Sequence, residues 1–151
     1  MARLHAHGIA AALPAGFEGR IFVRAQSADS VSRPVAHFAT FPLPGDVGDF
    51  GSGAVTAMGP EDVFAVLFEY GPESVGKALF SRSGMPRRLD SSHFHPTVLR
   101  RGLPQQSGTQ WFFTESGRPF TLYAVLGSHA RRSRLVPRLN GLLANLAVDA
   151  P

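Results

Sequence analysis

The sequence predicts an α+β domain: a twisted, mostly antiparallel β-sheet with a C-terminal amphipathic helix packed on one face. Two observations predict it. Residues 110–115 (QWFFTE) and 118–127 (RPFTLYAVLG) are β-rich runs separated by Ser116 and Gly117, the pattern of a hairpin with a two-residue turn. Leu135, Leu139, Leu142, Leu143 and Leu146 then recur at helical spacing and form one apolar stripe. A chain of 151 residues, 44% hydrophobic and 17% charged, has the size and composition of a single globular domain with its own core.

The elements follow in order. Residues 9–13 (IAAAL) read as a short strand closed by a Pro–Ala–Gly turn. Residues 19–24 (GRIFVR) form a second strand, and residues 35–41 (VAHFATF) a third that alternates its side chains between two faces. Residues 42–53 are dense in Gly, Pro and Asp and read as a loop, with a further short strand expected over 53–58. Residues 62–70 (DVFAVLFEY) fit either a helix started by Pro60 or a buried strand; the Val, Phe, Leu and Tyr content favours the strand. Residues 71–108 are irregular, and their length calls for a short helix or edge strand within them.

Three features agree on the hairpin register. A two-residue turn sets Glu115 opposite Arg118 as an opposite-charge pair. It sets Phe113 opposite Phe120 and Trp111 opposite Leu122, and it places Pro119 outside the hairpin's own ladder. Phe120, Leu122, Ala124 and Leu126 then line one face and Thr121, Tyr123 and Val125 the other, so this strand is central and covered on both sides. Ser133 reads as the N-cap of the helix, with Pro137 in its first turn.

Composition narrows the function classes. The chain has no cysteine, which removes disulfides and thiolate metal sites. Its first residues lack the long apolar run of a signal peptide, and no stretch approaches a membrane span of roughly 20 apolar residues. The expectation is a cytoplasmic protein with no membrane association. Lys77 is the one lysine among 15 basic residues, and this Arg bias matches a GC-rich genome.

The order of strand, LPAGF turn, paired strands, late hairpin and closing helix (Asn140, Leu142, Leu143, Asn145 and Leu146) resembles the PsbP-like fold. That fold is shared by photosystem accessory proteins, Ran-binding Mog proteins and certain actinobacterial lipoproteins. The resemblance covers roughly residues 8–43 and 110–148, and the composition is similar to that of actinobacterial proteins of unknown function. It implies an accessory or binding role without enzymatic activity. No site residues carry over, and the lipidated Cys of the lipoprotein members is missing.

The candidate chemistry is sparse. His5 with His7, and His93 with His95 near Asp90, are His–X–His pairs that on a strand would point the same way toward a metal ion; the bland reading, exposed or half-buried histidines, is favoured. His37 reads as a hydrogen-bonded core residue and His129 as solvated. Asp46 and Asp49 lack calcium-loop spacing, and no nucleophile elbow is present. The basic groups Arg87–Arg88, Arg100–Arg101 and Arg131, Arg132 and Arg134 stand out. The last three crowd a helix N-terminus, where the dipole disfavours positive charge, and are the candidate anion-binding residues. Trp111, Phe112, Phe113 and Phe120 are expected in the core, which leaves no exposed aromatics to accompany a nucleic-acid interface. The expectation is a non-catalytic accessory or protein-interaction domain with no cofactor, no catalytic or metal residues, another protein as partner and a possible homo-oligomeric state. The alternative is anion or nucleic-acid binding through the Arg clusters.

Overall fold

A computed structural model of the chain describes residues 2–23, 33–45, 52–98 and 103–151. The strands are β1 (Ala2–Ala6), β2 (Ile9–Leu13), β3 (Glu18–Val23), β4 (Pro34–Ala39), β5 (Val63–Glu69), β6 (Ser107–Glu115), β7 (Arg118–Leu126) and β8 (Leu146–Val148). Helix α1 spans Ser52–Ala57 and α2 spans Arg132–Leu143. Four single 3₁₀ turns, Pro72–Ser74, Ala78–Phe80, Ser91–His93 and Pro96–Val98, lie between β5 and β6. The strands make two antiparallel sheets rather than the one expected: β1-β2-β8, and β3-β4-β5-β7-β6.

The late hairpin adopts the register read from the sequence. Glu115 pairs with Arg118, Phe113 with Phe120 and Trp111 with Leu122. Ser116 (φ 53) and Gly117 (φ 76) form its turn, with the two left-handed residues that match strand twist. The same chemistry recurs at His7 (φ 53) and Gly8 (φ 75), which turn β1 back onto β2. The segment 62–70 is the buried strand β5, central in the larger sheet and inaccessible along its whole length.

Alternation sorts the larger sheet into two faces. Ala36, Phe38, Val63, Ala65, Leu67, Phe113, Phe120, Leu122, Ala124 and Leu126 face α2 and the small sheet. Helix α2 presents Leu135, Val136, Leu139, Leu142 and Leu143 to that core. Burying each such side chain contributes about 1.5–3 kcal/mol before entropic losses. On the opposite face Val35, Ala39, Phe64, Val66, Phe68 and Val125 pack with Ala54 and Val55 from α1 and with Met58 just after it. His37 is fully buried there, edge-on to Phe22 and Phe64 at 5.0 and 5.4 Å between ring centroids.

Several elements depart from the sequence reading. The strand expected over 53–58 is α1, and β1 and β8 were not anticipated. Leu146 is buried as expected, but the helix ends at Leu143 and Leu146 opens β8 on the edge of the small sheet. Helix α2 begins at Arg132, not after Ser133, because a tight turn from Ser128 leads directly into it. The Ser128 carbonyl and hydroxyl both accept the Arg131 N–H, at 3.3 Å. Pro137 therefore sits one turn inside the helix.

Arg118 joins the two sheets. Its Nε and Nη2 donate to both carboxylate oxygens of Glu69, at 2.9 and 2.8 Å. Nη2 also donates to the His7 carbonyl, and Nη1 to the carbonyls of Gly8 and Asp149. Gly8 is required twice over: a Cβ there would strain a left-handed φ and collide with the Arg118 guanidinium. The expected Arg118–Glu115 pair is not formed, since Glu115 instead accepts from Arg87 at 2.8 Å.

Candidate interaction surface

The Arg cluster at the start of α2 is largely engaged inside the molecule. Glu61 Oε1 accepts from Arg131 and, at 3.2 Å, from Arg134, while Arg138 donates to the Glu61 carbonyl. Arg132 donates to the carbonyl of His129. Glu61 thus supplies the negative charge that the helix dipole favours at this end. It holds the turn before β5 against α2. Arg134 keeps its side chain 71% exposed. Arg87, of the first basic doublet, donates to the carbonyl of Leu143 at the far end of α2, where a cation complements the dipole, and to that of Leu146 at the start of β8. Asp46, Asp49, Arg100 and Arg101 lie outside the described residues.

The histidine pairs do not converge. His7 occupies a left-handed turn position, so it does not share a strand face with His5, which bonds Asp149 at 3.0 Å. His93 Nδ1 accepts the Asp90 N–H at 3.0 Å, while the main chain of His95 is tied to Gly108. Among the described residues no three metal-ligating side chains cluster.

His129 is half-buried rather than solvated. Its Nδ1 shares a 2.8 Å hydrogen bond with the buried Ser107 hydroxyl. Burial holds its pKa below the ordinary histidine value, and the charges of Arg132 and His95 add to the effect. A serine beside a histidine is the pair used in nucleophilic catalysis. Ser107, however, has no accessible surface, and among the described residues no carboxylate bonds His129.

The exposed polar opportunity lies on β6, an edge strand of the larger sheet. A two-residue turn makes Glu115 and Arg118 a hydrogen-bonded pair, so odd-numbered residues of β6 bond β7 and even-numbered ones point outward. The observed bonds agree. Thr114 N–H donates to Arg82 and its carbonyl accepts from Gly84; Gly108 exchanges both bonds with His95. Between these two bridges the outward N–H and C=O groups of Gln110 and Phe112 have no partner among the described residues. Gln110 is exposed and Phe112 half-buried.

Side chains frame this opening on both faces of the sheet. On one, Trp111 is only half-buried, with the Arg82 guanidinium 4.7 Å above its ring and His93 perpendicular at 5.2 Å. On the other, Phe112 lies 5.8 Å from Phe80 and 6.2 Å from Tyr70 between ring centroids, and Leu79, beside Phe80 in sequence, is 58% exposed. Trp111 and Phe112 were expected in the core. They fall short of it because β6 is a border strand, and a border strand has cover on one flank only. The outward sense of Gln110 and Phe112 follows from the hairpin register, so it was available from the sequence. What was not available is that residues 82–84 and 95 return to cap the two ends and leave the middle without a partner among the described residues.

No protein-family model, curated protein or solved structure matches this chain.

Proposed function

We propose that this domain is a non-catalytic interaction module that binds a protein partner by accepting an extended segment of it along residues 110–112 of β6. The supporting observation is the pair of outward-facing residues, Gln110 and Phe112, whose main-chain groups have no partner among the described residues between two occupied ends of the same edge. An exposed strand edge is a template for another strand, and main-chain pairing of this kind supplies affinity while flanking side chains supply selectivity. The two bridges limit the docked stretch to a few residues, which suits a short linear segment rather than a second folded sheet. The accessory role implied by the resemblance to the PsbP-like fold points the same way.

Gln110→Pro tests the reading. It deletes an outward donor without touching the β6–β7 ladder, much as Pro119 already lacks an N–H on the neighbouring strand. Short random peptides displayed and selected against the protein should include ligands that slow hydrogen exchange at the Gln110 and Phe112 amides. Those ligands should lose binding to Gln110→Pro while its circular dichroism stays native. A selection yielding only peptides indifferent to this substitution would refute edge pairing.

A further inference from the structure

We infer that the segment accepted at this edge is acidic and places a carboxylate on Arg82; this rests on the edge-pairing function proposed above. Arg82 combines a place beside the opening with a charge that no carboxylate among the described residues meets. Arg87 is paired with Glu115, Arg118 with Glu69, and Arg131 and Arg134 with Glu61. Arg82 is exposed and has no carboxylate partner among the described residues. It is held in place all the same. Its carbonyl accepts the Thr114 N–H at 2.9 Å, which fixes its main chain at one end of the opening, and its guanidinium lies over Trp111.

Stacking on an indole restrains a guanidinium while leaving the N–H groups at its rim free, the arrangement that takes a carboxylate through two parallel hydrogen bonds. His93 meets the indole as well, perpendicular to it at 5.2 Å between ring centroids. Its Nδ1 is already occupied by the Asp90 N–H, so Nε2 is the nitrogen left for an incoming group.

Strand geometry extends the argument to sequence preference. An added strand paired with Gln110 and Phe112 alternates its side chains between the two faces of the sheet. Those on the Trp111 face meet Arg82; those on the other meet the Phe112–Phe80 rings and the exposed Leu79. The occupant is therefore an extended peptide in which acidic residues alternate with apolar ones, as part of a longer protein. Such a ligand also complements a chain of net charge +4.

Trp111 is the only tryptophan, so its fluorescence reports directly on this surface. Displayed random peptides selected on the native protein should be enriched in alternating acidic and apolar residues. Titrated as synthetic peptides, they should perturb Trp111 emission and weaken with added salt. Arg82→Gln should lower their affinity about three- to tenfold. Exchanging the acidic residues of the peptide for Asn and Gln should cost the native protein the same factor and cost Arg82→Gln nothing further. Enrichment of uncharged peptides that bind native and Arg82→Gln proteins equally, yet fail on Gln110→Pro, would overturn the acidic specificity and leave edge pairing intact. If no selected peptide responds to Gln110→Pro, edge pairing itself fails and the acidic segment falls with it.

Discussion

Arg118 and Glu69 show how a single pair can be legible in part. The turn predicts correctly that Glu115 stands opposite Arg118. It cannot reveal Glu69, which reaches Arg118 from the strand on the other side and is 49 residues away in sequence. Both partners are nearly inaccessible, and Arg118 has its pKa raised by the hydrogen bonds it donates to Glu69, against the opposing effect of burial. Deleting one member strands the other without water. Arg118→Met should therefore cost about 3–5 kcal/mol in urea unfolding, whereas Arg118→Met with Glu69→Met should recover most of that loss. A double variant no more stable than the single one would show that the three carbonyl bonds of Arg118, and not the ion pair, dominate.

His129 makes a second prediction at this scale. Its folded pKa lies below the unfolded value, so the native state binds fewer protons than the unfolded one as pH falls. Its contribution to stability is present above about pH 6.5 and declines from there down to the folded pKa. An NMR titration of the His129 ring should give a midpoint below 6.5, and Arg132→Gln should raise it. A midpoint at or above the ordinary value would remove burial as the controlling influence.

At the level of elements, legibility followed the number of independent constraints. Turn chemistry, facing aromatics and a tolerated proline agreed on the β6–β7 register, and it is the observed one. The strand β5 was resolved by composition alone, against a plausible helix start. By contrast β1 carries the same X–Gly turn signal as the late hairpin, at His7 and Gly8, but its exposed, polar-punctuated sequence shows little β character by itself. The leucine stripe ran on past the end of α2 because Leu146 is buried too, in a strand rather than a helix.

Pro137 offers a test of α2. Inside the helix it removes the bond that its N–H would make to the Ser133 carbonyl, and it is exposed, so no packing depends on its ring. Pro137→Ala should stabilise the protein by about 1–2 kcal/mol, the helix gain being partly offset by the looser unfolded chain. An unchanged or lower midpoint of unfolding would mean that the helix depends on the proline for its approach to Glu61.

Across the whole molecule the fold class was readable because a dominant apolar pattern drives it, whereas the division into two sheets was not. That division depends on which short strand finds which edge, and no local pattern encodes it. The core does not respect the division. Ile9, Ala11, Leu13, Leu146 and Val148 of the small sheet pack in one cluster with α2 and one face of the large sheet. Unfolding followed through Trp111 fluorescence, far-ultraviolet dichroism and exchange of the Ala11 amide should consequently give coincident transitions. An earlier transition at Ala11 would identify the small sheet as a separate cooperative unit. The surface, unlike the core, was hardest to read: its opening at residues 110–112 is created by chain segments returning from an irregular stretch.

The place of β2 between β1 and β8 has a consequence for biosynthesis. On the ribosome, β2 emerges with one neighbour; the second, which completes its ladder, emerges only after the five-stranded sheet and the long helix have been made. The nascent chain must therefore carry an apolar strand with one raw side until β8 is made, and closure of the small sheet waits for that strand.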